Sequence, residues 1–217
     1  MKRIHIMTLA ALFVAGNASA IEELPESCRP KIGETALALA DNAEAAQLQC
    51  DIDRAAVLSN RSEAMFGSNP EPLIHIVDTA SPSGAAYIYD ITDTGGTLFL
   101  DARSVPSDTD REDRIPICHL QTQLPSPVAN NVAISLLSAA EADVPAYGAR
   151  ERMVINADGS RSYELLLNTH DIVTRIETVD GVRHFSRHAD ATDAIAKLNK
   201  SIIGVANFSD GWVCNTN

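Results

Sequence analysis

ERMVINADGSRSYELLLNTHDIVTRIETVDGVRHFSRH, residues 151–188, decides the fold class. Apolar and polar residues alternate in short runs. Asp158-Gly159 and Asp180-Gly181 each supply the dipeptide that a two-residue hairpin turn favours. The stretch therefore predicts an antiparallel meander. A second hairpin is expected upstream, where Leu73–Val77, Ala85–Thr92 and Leu98–Leu100 are strand-like and Asp93-Thr94-Gly95-Gly96 makes the turn. Ile117–Leu120 is a further short strand.

Three helices flank these strands. Residues 31–66 are alanine-rich, with Leu37, Leu39, Leu48, Ile52, Leu58 and Met65 as the larger apolar contacts, and Gly67 is a natural stop. Ser68-Asn69-Pro70-Glu71-Pro72 reads as a linker. Ser126 and Pro127 fit the N-cap and first turn of a second helix, with Val128, Val132, Leu136 and Ala140 on one face and Pro145 ending it. Asp190 is the expected cap of a third, whose face carries Ala191, Ile195, Leu198, Ile202 and Val205, with Lys197 and Lys200 opposite. Strands follow strands instead of alternating with helices. The class is α+β: an antiparallel sheet, hairpin plus C-terminal meander, packed with about three helices. The pattern does not decide between one sheet and two.

The chain has 217 residues, 45% of them hydrophobic and 21% charged. That suffices for one packed α+β domain over residues 21–217, with an N-terminal helical segment at about 31–66 and a β/α body at about 73–217. It excludes wholesale disorder and low-complexity architectures. The first twenty residues read as a bacterial-type signal peptide. Lys2 and Arg3 give the positive start, Ile6–Gly16 the apolar core, and Ala18-Ser19-Ala20 the cleavage site. Periplasmic or secreted localisation follows, with no membrane-length apolar run beyond residue 20. Loss of Lys2 and Arg3 leaves 15 bases against 29 acids, a net charge of −14. Such an acidic protein disfavours nucleic acid and anionic lipid and favours a cationic partner, a basic protein among them.

Cys28, Cys50, Cys118 and Cys214 are an even set in an exported chain, which predicts two disulfides. Three connectivities are open. Cys28–Cys50 with Cys118–Cys214 is favoured, closing one local loop and tying the C-terminal tail to the middle of the chain. Each bond is worth about 2–4 kcal/mol. No C-x-x-C is present, so thioredoxin-type redox chemistry and a cysteine-based zinc site lack their signature.

Candidate chemistry is sparse. A two-residue turn at Asp180-Gly181 pairs Val179 with Val182, Glu177 with His184, Arg175 with Ser186 and Val173 with His188. Glu177, His184 and His188 then share one side of the ribbon, while Ile176 and Phe185 face the core. Two imidazoles and a carboxylate suit zinc or copper. Residues four apart on a strand, however, lie about 13 Å apart, too far for one ion. No metal and no cofactor is expected. Asp108, Asp110 and Glu112 alternate as in a calcium loop, but Asp113 stands where glycine is needed and His119 where glutamate is needed. Asp90 and Asp93 beside Gly95-Gly96 are better explained by turn chemistry. Ser81-Pro82-Ser83-Gly84 is not a nucleophile elbow, no H-E-x-x-H occurs, and His75 with Asp78 is a pair in sequence only. Phosphate-binding glycine motifs are missing. Tyr87 and Tyr89 share a strand face and, with Phe99 across the hairpin, form a possible binding patch.

No family resemblance is carried by these motifs. The expected function is that of an exported, non-catalytic binding or interaction protein, of inhibitor, immunity or envelope-accessory type. The alternative is a periplasmic hydrolase whose catalytic residues are scattered in sequence. Export itself has a direct check. Intact-mass analysis of the exported protein should find Ile21 at the N-terminus and four hydrogens fewer than the reduced chain; four free thiols would contradict the disulfide expectation.

Overall fold

The computed structural model describes Cys28 and residues 36–67, 70–79, 86–106, 116–140, 144–148, 151–155, 158, 160–165 and 171–215. The expected signal segment, the polar loop at 107–114 and the Ser81–Gly84 stretch lie outside the described residues. Seven strands form one fully antiparallel sheet, and three helices pack on it. The fold is α+β.

The strands are β1 (Ile74–Thr79), β2 (Ala86–Thr94), β3 (Thr97–Val105), β4 (Ile117–Gln123), β7 (Asp171–Thr178), β8 (Gly181–His188) and β9 (Val213–Asn215). Their order across the sheet is β8-β7-β1-β2-β3-β4-β9. β5 (Glu151–Ile155) and β6 (Arg161–Leu165) make a separate two-stranded hairpin. The stretch 151–188 is thus two hairpins, and the continuous meander is corrected. β7 leaves β6 and pairs with β1, because Ile172, Val173, Thr174 and Ile176 are buried on both faces of the strand. Such a strand belongs inside a sheet.

Turn chemistry sets the local registers. Gly95 and Gly96 have φ of 64° and 83° and form the two-residue loop between Thr94 and Thr97. Two positive φ values are the signature of a type I′ turn, and Asp93 Oδ1 accepts the Gly96 N–H at 2.7 Å. The other two expected turns differ. Ile155 pairs with Arg161, so five residues, not two, separate β5 from β6. Thr178 pairs with Gly181, leaving Val179-Asp180 as the loop. Gly181 stays in the ladder at φ 119°, and Thr178 Oγ1 donates to its carbonyl at 2.7 Å. The pairs are therefore Glu177–Val182, Arg175–His184 and Val173–Ser186, each shifted from the expected register. The shift is two residues, so every side chain keeps its face.

One face of the sheet carries the main core. Ile74, Ile76, Tyr89, Ile91, Leu100, Leu120, Ile176 and Phe185 pack there with α2 (Ser126–Ala140) and α3 (Ala194–Asn207). Val132 and Ala139 come from α2, and Ile195, Leu198, Ile202 and Ala206 from α3. Pro125 replaces Ser126 as the first cap, since its carbonyl accepts the Ala129 N–H. Asp193, not Asp190, caps α3, accepting the Ala196 N–H at 2.9 Å. Asp190 sits in the preceding turn, its N–H donated to His188 Nδ1.

The other face is covered by α1 (Ala36–Phe66), which ends at Gly67 with φ 87°. Its sheet-facing stripe is Asp51, Ala55, Ser59, Ser62 and Phe66, spaced three or four apart, with Leu58 beside it. Met65, expected as an apolar contact, is exposed. Val77, Ala86, Ile88, Val105 and Val173 supply the apolar part of this interface. Ser186 Oγ donates to Asp51 Oδ2 at 2.6 Å.

Both disulfides are Cys28–Cys50 and Cys118–Cys214. The second joins directly opposed residues of β4 and β9. Arg187 ties the other edge. It is buried, with Nε on Asp193 Oδ2 at 2.5 Å and its other nitrogens donating to the carbonyls of Pro145, Ala146 and Ser186. Tyr147 forms a parallel bridge with Ser186, so 146–148 shields the β8 edge. Replacement Arg187→Met should lower the unfolding free energy by about 3 kcal/mol in urea titration, since charge-assisted bonds from a buried guanidinium to three carbonyls are lost together. Asp193→Asn, at a half-exposed partner, should cost less than about 1 kcal/mol. Equal losses for the two variants would contradict this assignment.

Candidate functional site

The α1-facing side of the sheet holds one polar row that crosses six strands. His184, Arg175, His75, Asp90, Asp101 and Gln121 are successive register partners from β8 to β4. Alternation along each strand puts them on one face, opposite the main core. Arg103, two residues from Asp101 on the same face of β3, donates Nε to Asp101 Oδ1 at 2.7 Å and lies 3.4 Å from Asp90 Oδ2. Gln121 Nε2 donates to Asp101 Oδ2 at 2.8 Å, and His119 Nε2 lies 3.0 Å from the same oxygen. Phe66 of α1 closes over this end, its ring 5.6 Å from that of His119 and 6.0 Å from the Arg103 guanidinium carbon.

These contacts set the protonation states. Burial raises the Asp101 pKa, but bonds from Gln121 and His119 and the Arg103 charge outweigh it, and the carboxyl ends below its ordinary value. His184 is lowered by burial first, then by the Arg175 charge and by His75. Arg175 pairs with Glu71 and donates to the Pro72 carbonyl.

At the centre of the row, His75 Nδ1 lies 2.6 Å from Asp90 Oδ1. Its Nε2 lies 2.8 Å from Ser59 Oγ of α1. A cavity of about 370 Å³ opens here, lined by Ser59, Ser62, His75, Asp90, Arg103 and Arg175 among others.

A larger cavity, about 680 Å³, lies on the opposite face between the sheet and α3. Its floor includes Ile172, Asp78, Tyr87, Ser104 and Cys118, neighbours along one row, with Tyr89 beside them. Ile203, Gly204 and Asn207 of α3 and Trp212 form the roof. Trp212 is fixed by its Nε1–H on the Ala206 carbonyl at 2.9 Å. Lys200, also on the lining, directs its ammonium to the Ala191 carbonyl. Burial raises the Tyr89 pKa far above its ordinary value, with Asp78 and Tyr87 adding to the shift, so the phenol stays neutral.

The sequence-predicted residues distribute as follows. Tyr87 and Tyr89 share the larger cavity. Phe99 does not join them: it pairs with Thr92 and Gln123, on the other face of β3 from Leu100 and Ala102, and is exposed. Glu177, His184 and His188 do share a face, but Glu177 is exposed, and His188 is buried four residues from His184 and opposite Asp171. Among the described residues, no three of His, Cys, Asp and Glu are grouped to hold a metal ion. His75 and Asp78 lie on opposite faces of β1, and the carboxylate that reaches His75 is Asp90. Asp93 serves its turn. Ser59, Ser62, Asp101, Arg103 and Arg175 are site residues that the sequence reading did not single out. The Asp90–Asp101 pairing alone had a local signal, since the Gly95-Gly96 turn fixes it.

Among the described residues, no helix is long and apolar enough to cross a membrane. The chain matches no family model, no curated protein and no solved structure.

The depressed Asp101 pKa has a pH consequence. A carboxyl lowered in the folded state stabilises above its unfolded value, and that stabilisation fades as pH falls through the folded value. Asp101→Ala should therefore cost about 3 kcal/mol at pH 7. The gap to the parent protein should narrow below the ordinary value of 3.8. Urea titrations at several pH values give the two curves; a gap that widens under acid would refute the assignment.

Proposed function

We propose that the protein is an exported binding protein whose ligand enters the tyrosine-lined cavity under α3. The carrying observation is the convergence of Tyr87, Tyr89 and Trp212 on one concave space of about 680 Å³. A concave apolar recess with a few polar groups is the usual setting of a ligand site. Two disulfides fit a periplasmic or extracellular protein, and the signal-like residues 1–20 support the same location.

The ligand group proposed is an apolar stem ending in a positive charge. A mature net charge of −14 attracts cations and disfavours polyanions. Aromatic faces add cation–π attraction. A basic side chain on a protein partner and a small organic amine present the same chemistry. The first matches an inhibitor, immunity or envelope-accessory role.

Trp212 is the only tryptophan and reports on the cavity directly. Its fluorescence should change saturably with an alkylguanidinium or alkylammonium salt, and less with the carboxylate of equal chain length. Tyr87→Ala should weaken that binding about fivefold. A lysine-rich protein that competes with the amine identifies the protein source. No saturable change with any probe, or equal affinity for the carboxylate, would overturn the reading.

A further inference from the structure

We propose that Ser59 is an activated nucleophile in a second site, on the opposite face of the sheet, that cleaves small uncharged carboxylic esters. The inference does not depend on the tyrosine-lined cavity. It rests first on the hydrogen-bond order: Ser59 Oγ, His75 Nε2, His75 Nδ1, Asp90 Oδ1, with separations of 2.8 Å and 2.6 Å. This is a nucleophile beside a base, with the base oriented by a third group. The Asp90 side chain is only 5% exposed, whereas that of His75 is 22% exposed. A buried carboxylate on Nδ1 fixes the tautomer that turns the Nε2 lone pair toward the serine.

Ser59 Oγ also lies 2.8 Å from the Ala55 carbonyl. One hydroxyl proton serves one acceptor at a time. Rotation about Cβ–Oγ moves it from Ala55 to His75 without moving the oxygen, so the helix holds the nucleophile in place and the imidazole removes its proton.

The second support is an unsatisfied donor. Ser62 is 1% exposed, lines the same cavity, and its Oγ has no hydrogen-bond partner. It follows Ser59 by three residues on α1, so the two side chains are neighbours on one helix face. An orphaned buried hydroxyl costs about 1–3 kcal/mol. A ligand oxygen would satisfy it. The backbone N–H groups of this stretch lie mid-helix, where the helix itself uses them. Ser62 Oγ–H is therefore the donor for the oxygen that becomes negative in an acyl-transfer step.

The third support is the cavity itself. A space of about 370 Å³ accepts a short acyl group and a small alcohol. Its cations are already countered, Arg103 by Asp90 and Asp101 and Arg175 by Glu71. An uncharged ester suits that balance.

The chemistry closes on these groups. Ser59 Oγ attacks the carbonyl carbon and its proton passes to His75 Nε2. The bond from carbon to the alkoxy oxygen breaks, and the departing alcohol takes the proton from Nε2. The acyl group is left on Ser59. Water then gives a proton to Nε2 and attacks the acyl carbon, Oγ leaves and is reprotonated from Nε2, and the carboxylic acid departs. Ester and water become acid and alcohol.

The test uses the disulfide-bonded protein and an alkyl fluorophosphonate, with peptide mass spectrometry to map the adduct. One equivalent should attach to Ser59 while exposed serines stay unmodified. p-Nitrophenyl acetate should give a burst of one nitrophenol per chain, lost in Ser59→Ala. Asp90→Asn and His75→Gln should slow labelling on the order of 100-fold, with circular dichroism confirming that each is folded. Ser62→Ala should slow turnover while leaving Ser59 in place. A folded parent protein that takes no label at Ser59 overturns the proposal without any variant. Labelling that is indifferent to Asp90→Asn in a folded protein also overturns it, because a merely structural Ser59–His75 contact predicts that result.

Discussion

Arg103 is 3% exposed and holds its charge between two carboxylates. The rest of the structure depends on that arrangement. Asp90 and Asp101 are directly opposed on β2 and β3. Like charges facing each other across a ladder repel, and burial under a helix strengthens the repulsion. A cation on the same face, two residues along β3, turns the repulsive pair into a bridged one. His75 on one side and His119 with Gln121 on the other occupy remaining carboxylate oxygens. Buried ion pairs add little net stability compared with an apolar core, but a missing partner is costly. Such a network favours one alignment. A one-residue slip of any strand would carry its charged side chain to the main apolar core, so the polar row fixes the register of β1, β2, β3 and β4 together.

The composition of α1 follows from the face it covers. A helix over an apolar sheet face would carry large aliphatic residues along one stripe. This one presents Asp51, Ala55, Ser59 and Ser62 toward the sheet. Small and polar residues let the helix approach closely and supply partners for Ser186 and His75. Its apolar contacts are confined to the rows containing Val77, Ile88, Val105 and Val173. The division of labour is plain. α2 and α3 hold the fold through Ile195, Leu198, Ile202 and Val132, while α1 completes a polar layer that contributes less hydrophobic stabilisation and includes Ser59 and Ser62.

What the sequence made legible is whatever is local. The antiparallel class, the Gly95-Gly96 hairpin, the apolar face of α3 and the presence of two disulfides all rest on patterns a few residues long or on parity. The failures have the same origin. Asp190 and Asp193 both carry a capping side chain, and it is the helix starting at Ala194 that makes Asp193 the cap, held also by Arg187. The loop at Val179-Asp180 and the longer one before Arg161 are set by strand partners, not by the Asp-Gly dipeptides. Phe99 was separable in principle: the hairpin register pairs it with Thr92, which is on the face opposite Tyr87 and Tyr89. The relay was not separable. Its members come from a helix, from β1, and from β2 beyond an intervening connection, and the register of β1 with β2 has no turn signal in the sequence. Ser59 is one serine among the polar residues of an alanine-rich helix.

β1 and β2 serve both faces at once. His75 and Asp90 point to α1, while Ile76, Asp78, Tyr87 and Tyr89, their neighbours in sequence, point to α3. Strand alternation makes this unavoidable: a strand that contributes a base to one layer contributes its flanking residues to the other. Tyr89 and Asp90 share a peptide bond, so a ligand that displaces the Tyr89 backbone displaces the carboxylate that orients His75. In a close-packed interior such shifts are transmitted instead of absorbed. β1 and β2 are also flanked on both sides, by β7 and β3, and interior strands resist displacement more than edges do. The two layers are therefore held in fixed relation by two interior strands, which suits the proposed relay, whose atoms must stay within hydrogen-bond distance.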